Sequence, residues 1–194
     1  KRFEQIKLTS NFENRRKYRE LLFTTPEIEN FLSGIIFYDE TIKQETSDNI
    51  SFVKFLAKKN IQTGIKVDIG AKVLIGSENE KITEGLDGLS LRMKDYKSIG
   101  ATFAKWRAVI KIDESIPTEY CVSLNAHNLA RYARIVQEFD MVPIVEPEVL
   151  MDGTHSINDC YKITSQTLKT VFHHLKFQGV FLKGILLKPN MIIS

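Results

Sequence analysis

Seven charged residues close four apolar runs at spacings that set them side by side. "GIKVD" carries Lys66 and Asp68, "FAKWRAVI" Lys105 and Arg107, "IVEPEV" Glu146 and Glu148, and "LLKPNM" Lys188. Successive residues of a strand point to opposite faces, so each i, i+2 pair shares a face, with Ala104 and Trp106 on the other side of their strand. A charge at the end of a buried strand is costly unless it is used. A lysine crowded by other cations and partly desolvated loses its proton more readily, and its free amine attacks carbonyls. Carboxylates beside it can move protons, and spare lysine and arginine suit phosphate groups. The set therefore points to Schiff-base chemistry on a phosphorylated sugar. For any single pair the plainer reading is a local salt bridge at a strand end; recurrence in four strands is what favours a shared site.

The elements that must position these residues repeat as a short apolar run, a polar loop and a helix-period segment. The runs are "SGIIFYDE" (33–40), "GIKVDIG" (64–70), "FAKWRAVIKI" (103–112), "MVPIVEPEV" (141–149) and "VFLKGILLKPNM" (180–191), spaced roughly 30–40 residues apart, the length of one βα unit. Helices are expected over 10–22, opened by a Ser10/Glu13 capping box, over 51–59, 84–100, 125–139 and 157–176. Leu129, Tyr132, Ala133 and Val136 form one core-facing stripe, and Leu168, Val171, Phe172 and Leu175 another. Alternating strands and helices imply a parallel α/β sheet. An open doubly wound sheet buries both faces and leaves the charges nowhere to go, whereas a barrel opens the C-terminal ends of its strands onto a wet pocket.

Composition narrows the alternatives. The 194 residues are 43% hydrophobic and 26% charged, as in an ordinary globular domain, and the net charge of +3 is spread and interleaved, giving no nucleic-acid footprint. No apolar run approaches the roughly 20 residues of a membrane helix, and "KRFEQIKLTS" lacks a signal-peptide core. Cys121 and Cys160 form no zinc pattern and favour a reducing compartment. The four histidines give no HxH or HExxH, and His173 and His174 read as structural or surface groups, so no metal and no cofactor is expected. There is no phosphate-binding glycine loop, "GLDGLS" (85–90) included, and no Gly-x-Ser-x-Gly elbow.

"ENRRKYRELLF", "GIKVD", "EGLDGLSLR", "FAKWR", "NLARYA", "PIVEPE" and "LLKPNM" together, in this order from about Lys1 to Met191, resemble class I fructose-1,6-bisphosphate aldolase. The resemblance implies a (β/α)8 TIM barrel, a homotetramer, and metal-independent reversible cleavage of fructose 1,6-bisphosphate to dihydroxyacetone phosphate and glyceraldehyde 3-phosphate, a step of glycolysis and gluconeogenesis. It makes Lys188 the Schiff-base lysine, Lys105 the lysine that assists proton transfer, Glu146 the acid/base and Glu148 its companion. Arg107 is then in contact with substrate, Lys66 and Asp68 lie in the active site, and Lys66 and Arg2 lie near the sugar 6-phosphate. It further implies a cytoplasmic protein, with the plastid as the other compartment, and cytoskeletal binding among the partners; no nucleic acid or membrane is implied.

The sequence departs from the pattern at Ile69, where animal enzymes carry lysine, and at Asp39, where they usually carry histidine, and "IIS" stands where the family continues through a threonine-proline-glycine turn. Placing "ENRRKYRELLF" on the first barrel helix makes residues 1–194 a single-domain part of a barrel, from that helix to the sixth strand. The first strand with its aspartate, the last two strands with their groups for the sugar 1-phosphate, and the C-terminal tail fall outside it. A transaldolase-like barrel fits the motifs worse. The reading from another class is a truncated aldolase that survives only as a binding or scaffold remnant.

Overall fold

The structure is a computed structural model that describes residues 2–193, with the side chain of Arg2 outside the described set. In chain order its elements are α1 (Arg2–Gln5), α2 (Phe12–Phe23), β1 (Gly34–Phe37), α3 (Asp39–Ile42), α4 (Phe52–Ala57), β2 (Gln62–Lys66), β3 (Gly70–Val73), β4 (Lys81–Glu84), α5 (Leu89–Ile99), β5 (Phe103–Ile110), α6 (Glu119–Gln137), β6 (Val142–Val149), α7 (Ile157–Phe177) and β7 (Leu186–Leu187). Single 3-10 turns occupy Ile28–Asn30 and Leu182–Gly184.

Five strands form one parallel sheet in the order β1-β2-β5-β6-β7. The order never reverses. Right-handed crossovers that always step the same way put every helix on the same face, which is how a barrel is wound. Burial agrees. Ile65, Ala104, Trp106, Ala108 and Val145 share one core with Leu56, Met93, Leu129, Tyr132 and Leu175 from the helices. The opposite face carries Lys66, Lys105, Arg107 and Glu148, all partly exposed. Along β5 the alternation is strict, with Ala104, Trp106, Ala108 and Ile110 buried and the residues between them half-buried.

The helices differ from the sequence expectation mainly at their starts. Asn11, not Ser10, caps α2, its Oδ1 accepting from Asn14 N at 2.8 Å. The capping box fails there because Glu13 pairs with Arg16 instead of reaching back, while Arg15 Nη1 takes the Ser10 carbonyl. A true capping box opens α7, between Ser156 and Asp159. Helix α6 begins at Glu119 under the Thr118 cap, six residues before 125. In the expected helix 84–100, only Leu89–Ile99 is α-helix. Its first residue, Glu84, ends an antiparallel hairpin, β3 with β4, which the sequence reading left out. Gly85 and Gly88 have φ of 127° and 64°, and this left-handed backbone breaks the chain between β4 and α5. A Cβ on Gly85 would also press on Ile69 N at 3.0 Å.

The run 180–191 is not one strand. Only Leu186–Leu187 joins the sheet, after the turn at Leu182–Gly184; the ladder closes with Lys188 N on Val145 O, and Pro147, next on that edge of β6, has no N–H to extend it.

Candidate active site on the open sheet face

Lys105 and Arg107 reach the open face because Trp106, between them, is anchored behind it. The Trp106 ring stacks on Tyr132 of α6 with centroids 5.5 Å apart. The Tyr132 hydroxyl sits 2.7 Å from Ala104 O and 3.2 Å from Ile144 O, so one buried proton ties β5 to β6. With that register, Arg107 lies beside Glu146 and Lys105 beside Ile144.

Glu146 is the centre of the face. Its side chain is only 3% exposed, yet it is ionically bound on both oxygens: Oε1 to Lys188 Nζ at 2.5 Å and Oε2 to Lys105 Nζ at 2.8 Å. Burial pushes its carboxyl up, but the contacts from Lys105 and Lys188 outweigh this and hold it below the usual carboxylate value. A buried carboxylate between two cations stays ionised and can pass a proton to or from either amine. Lys188 is anchored through its own N–H, which donates to Val145 O at 2.9 Å, while its side chain stays 54% exposed.

The remaining four charges sit in two further pairs. Arg107 grips Glu148 across the β5–β6 boundary. Lys66 Nζ pairs with Asp68 Oδ1 at 2.5 Å and also donates to the Asp68 carbonyl at 2.8 Å. The second oxygen of Asp68 faces Arg107 N at 3.4 Å. Only the Lys66–Asp68 pair is a local bridge within one segment of chain; the other contacts cross strands. Lys188, expected among cations, has a carboxylate as its direct partner. Arg2, expected near a phosphate, has its side chain outside the described residues.

Three supports behind these groups carried no role in the sequence reading. Arg92 Nη1 donates to Val67 O at 2.9 Å and Nη2 to Gly85 O, strapping the Lys66–Asp68 segment to the start of α5. Asn125 and Asn128 of α6 cover β4: Asn125 Oδ1 accepts from Thr83 N, and Asn128 Nδ2 donates to Thr83 O. Asn190 binds behind Lys188. Arg92, Asn128 and Asn190 lie inside quoted motifs, "EGLDGLSLR", "NLARYA" and "LLKPNM", and those motifs were the signal that could have found them; Asn125 lies in none.

The charged face is a wall without an opposite wall. A cavity of about 810 Å³ is lined by Asp39, Lys43, Arg92, Tyr96 and Arg131 among others, and by none of the seven charged residues. Among the described residues no group of three or more His, Cys, Asp and Glu is placed to hold a metal ion, and no helix is long and apolar enough to cross a membrane. Cys121 is inert packing: burial, then the charge of Glu80, push its thiol up to about 12.

A family model described as "Fructose-bisphosphate aldolase class-I" matches residues 1–194. The chain is 52% identical over 194 residues to a "Probable fructose-bisphosphate aldolase class 1" of Xanthomonas campestris pv. campestris, covering 100% of this chain and 58% of that protein. It is 48% identical to "Fructose-bisphosphate aldolase C-A" of Danio rerio, covering 99% of this chain and 53% of that one. Among solved structures, it superposes with a TM-score of 0.97 at 47% identity on the aldolase from Plasmodium falciparum, solved in complex with TRAP and a small molecule inhibitor, covering 100% of this chain and 56% of that one. The sheet is therefore a sector of a TIM barrel, and the chain spans a little over half the length of the curated relatives it matches.

Proposed function

The chain belongs to the class I fructose-bisphosphate aldolase family, and from that premise we propose that its open sheet face is the Schiff-base wall of an active site that cleaves fructose 1,6-bisphosphate reversibly. The observation that carries this reading is the buried Glu146 carboxylate, shared between the amines of Lys188 and Lys105.

In the proposed reaction Lys188 gives a proton to Glu146 and adds through Nζ to the C2 carbonyl of the sugar. The carbinolamine loses its hydroxyl as water, with a proton returned by Glu146, and an iminium remains. The iminium draws in the electron pair of the C3–C4 bond as the C4 hydroxyl loses its proton to a carboxylate. Glyceraldehyde 3-phosphate leaves and an enamine is left. Protonation at C3 and hydrolysis then release dihydroxyacetone phosphate and the free amine. Lys105, on the other oxygen of Glu146, compensates the carboxylate once Glu146 has returned its proton and the enamine nitrogen carries no charge. Glu148 holds Arg107 toward the substrate, and Asp68 holds Lys66 toward the 6-phosphate, with Arg2 as its companion there.

In this reading residues 1–194 are one part of a single barrel domain, in a cytoplasmic homotetramer. The deciding experiment is borohydride trapping with dihydroxyacetone phosphate, followed by peptide mapping, at the relatives' full length. The label is expected on Lys188; a label on Lys105 or Lys66 would overturn the assignment. No trapped lysine at all would leave only a binding or scaffold role.

A further inference from the structure

The strand that presents Lys188 is two residues long, and its last backbone bond to β6 is the one from Lys188 N to Val145 O. The edge of β6 that faces β7 continues beyond this point. Alternate residues of a strand direct their backbone groups to the same neighbour, so Val145, Pro147 and Val149 share that edge. Pro147 has no N–H to lose there. Val149 does, and no backbone of β7 reaches it.

The Asn190 side chain takes over. Its Oδ1 accepts from Val149 N at 3.3 Å, and its Nδ2 donates to Thr164 Oγ1 at 3.0 Å and to Met191 O at 2.9 Å. Thr164 is 3% exposed on α7. One amide thus spans the end of β6, the helix behind it and the turn after Lys188, satisfying both donor protons and one acceptor site. It does so two residues beyond the lysine, on the far side of a proline that fixes φ.

We infer that Asn190, seated on Val149 N and Thr164, is a positioning residue that sets the reach of Lys188 toward Glu146 and the substrate carbonyl. This rests on the proposed Schiff-base role of Lys188. Neither Asn190 nor Thr164 touches the reacting atoms. They prevent the segment after β7 from swinging, and a displacement of about 1 Å at a reacting group costs up to about 100-fold in rate.

The test uses the enzyme at its relatives' full length. Asn190→Ala, Thr164→Val and Thr164→Ser are compared with the parent by kcat, by KM, by thermal midpoint, and by the rate at which borohydride traps Lys188 with dihydroxyacetone phosphate. Asn190→Ala is expected to slow trapping and lower kcat by about 10- to 100-fold with KM changed far less. Thr164→Val should do the same more weakly, because the Val149 contact survives, and Thr164→Ser, which keeps the hydroxyl, should restore the parent rate. If the parent traps on Lys188 and Asn190→Ala traps equally fast, whatever its thermal midpoint, the positioning role is refuted and the Schiff-base reading stands. If the parent does not trap on Lys188, both fall.

Discussion

At the scale of single residues, Glu146 and Glu148 share a motif and a strand face but not an environment. Glu146 is buried between two amines; Glu148 is half-buried and holds Arg107. Replacement by glutamine therefore separates them. Glu146→Gln removes a positioned acid/base and leaves two lysines without their shared carboxylate, so kcat should fall by about 10²–10⁴-fold. Glu148→Gln keeps an acceptor for Arg107 and should act more through KM, with a much smaller loss of kcat. Steady-state kinetics on fructose 1,6-bisphosphate read the difference. Equal and small losses from both would make the "EPE" pair structural.

At the scale of elements, helices α2 and α3 are held together by charge. Arg15 and Arg19, one turn apart on α2, both bind Glu40 of α3, Arg15 through a bidentate pair at 2.9 and 2.6 Å and Arg19 at 2.6 Å. The hydrogen bonds from Arg15, with help from Arg19 and against some burial, bring the Glu40 carboxyl down to about 2. A carboxylate depressed in the folded state stabilises it above the ordinary carboxylate range, and that stability is lost as pH falls through the depressed value. Glu40→Gln should therefore lower stability near neutral pH and flatten its fall between the ordinary range and about 2, as followed by denaturant unfolding across that window. A parallel offset at every pH would show that the clamp contributes through packing rather than charge. Elsewhere the same face logic depends on Gly64. The Phe103 ring lies where a Cβ on Gly64 would stand, so this strand pair packs by glycine against aromatic.

At the scale of the whole molecule, the sector has two unpaired sheet edges, β1 and β7. Ile36 on the first is 40% exposed and Leu186 on the second 50%. A barrel removes such edges by pairing its last strand with its first; left open, apolar parallel edges invite association. The charged face also lacks an opposite wall, so water screens the ion pairs around Glu146. Residues 1–194 expressed alone should associate or unfold without a sharp transition, and should not cleave fructose 1,6-bisphosphate. Sizing by light scattering, a thermal melt and an activity assay test this. A monomer with a cooperative melt and turnover would show that the closed barrel is not needed.

The alternation Ala104-Lys105-Trp106-Arg107 and the stripe Leu129, Tyr132, Ala133 and Val136 were legible because a period of two or of 3.6 is a property of neighbouring residues alone. All four stripe residues are fully buried, and the five apolar runs each supply a strand of the one sheet. The family, too, was written in local motifs. The partners of the charges were not. That Glu146 lies between Lys105 and Lys188, and Arg107 against Glu148, depends on the registers of β5, β6 and β7, whose residues are about 40 positions apart. Those registers are set by Tyr132 bridging two carbonyls and by α6 and α7 packing behind the sheet. The β3–β4 hairpin escaped the sequence reading because its four-residue strands are too short to show a period; Asn125 and Asn128 from α6 cover it. The early end of β7 follows from Pro147 facing it, which only the register decides, and the asparagine that replaces the missing backbone is meaningful only beside Val149 and Thr164, which the folded chain alone brings to it.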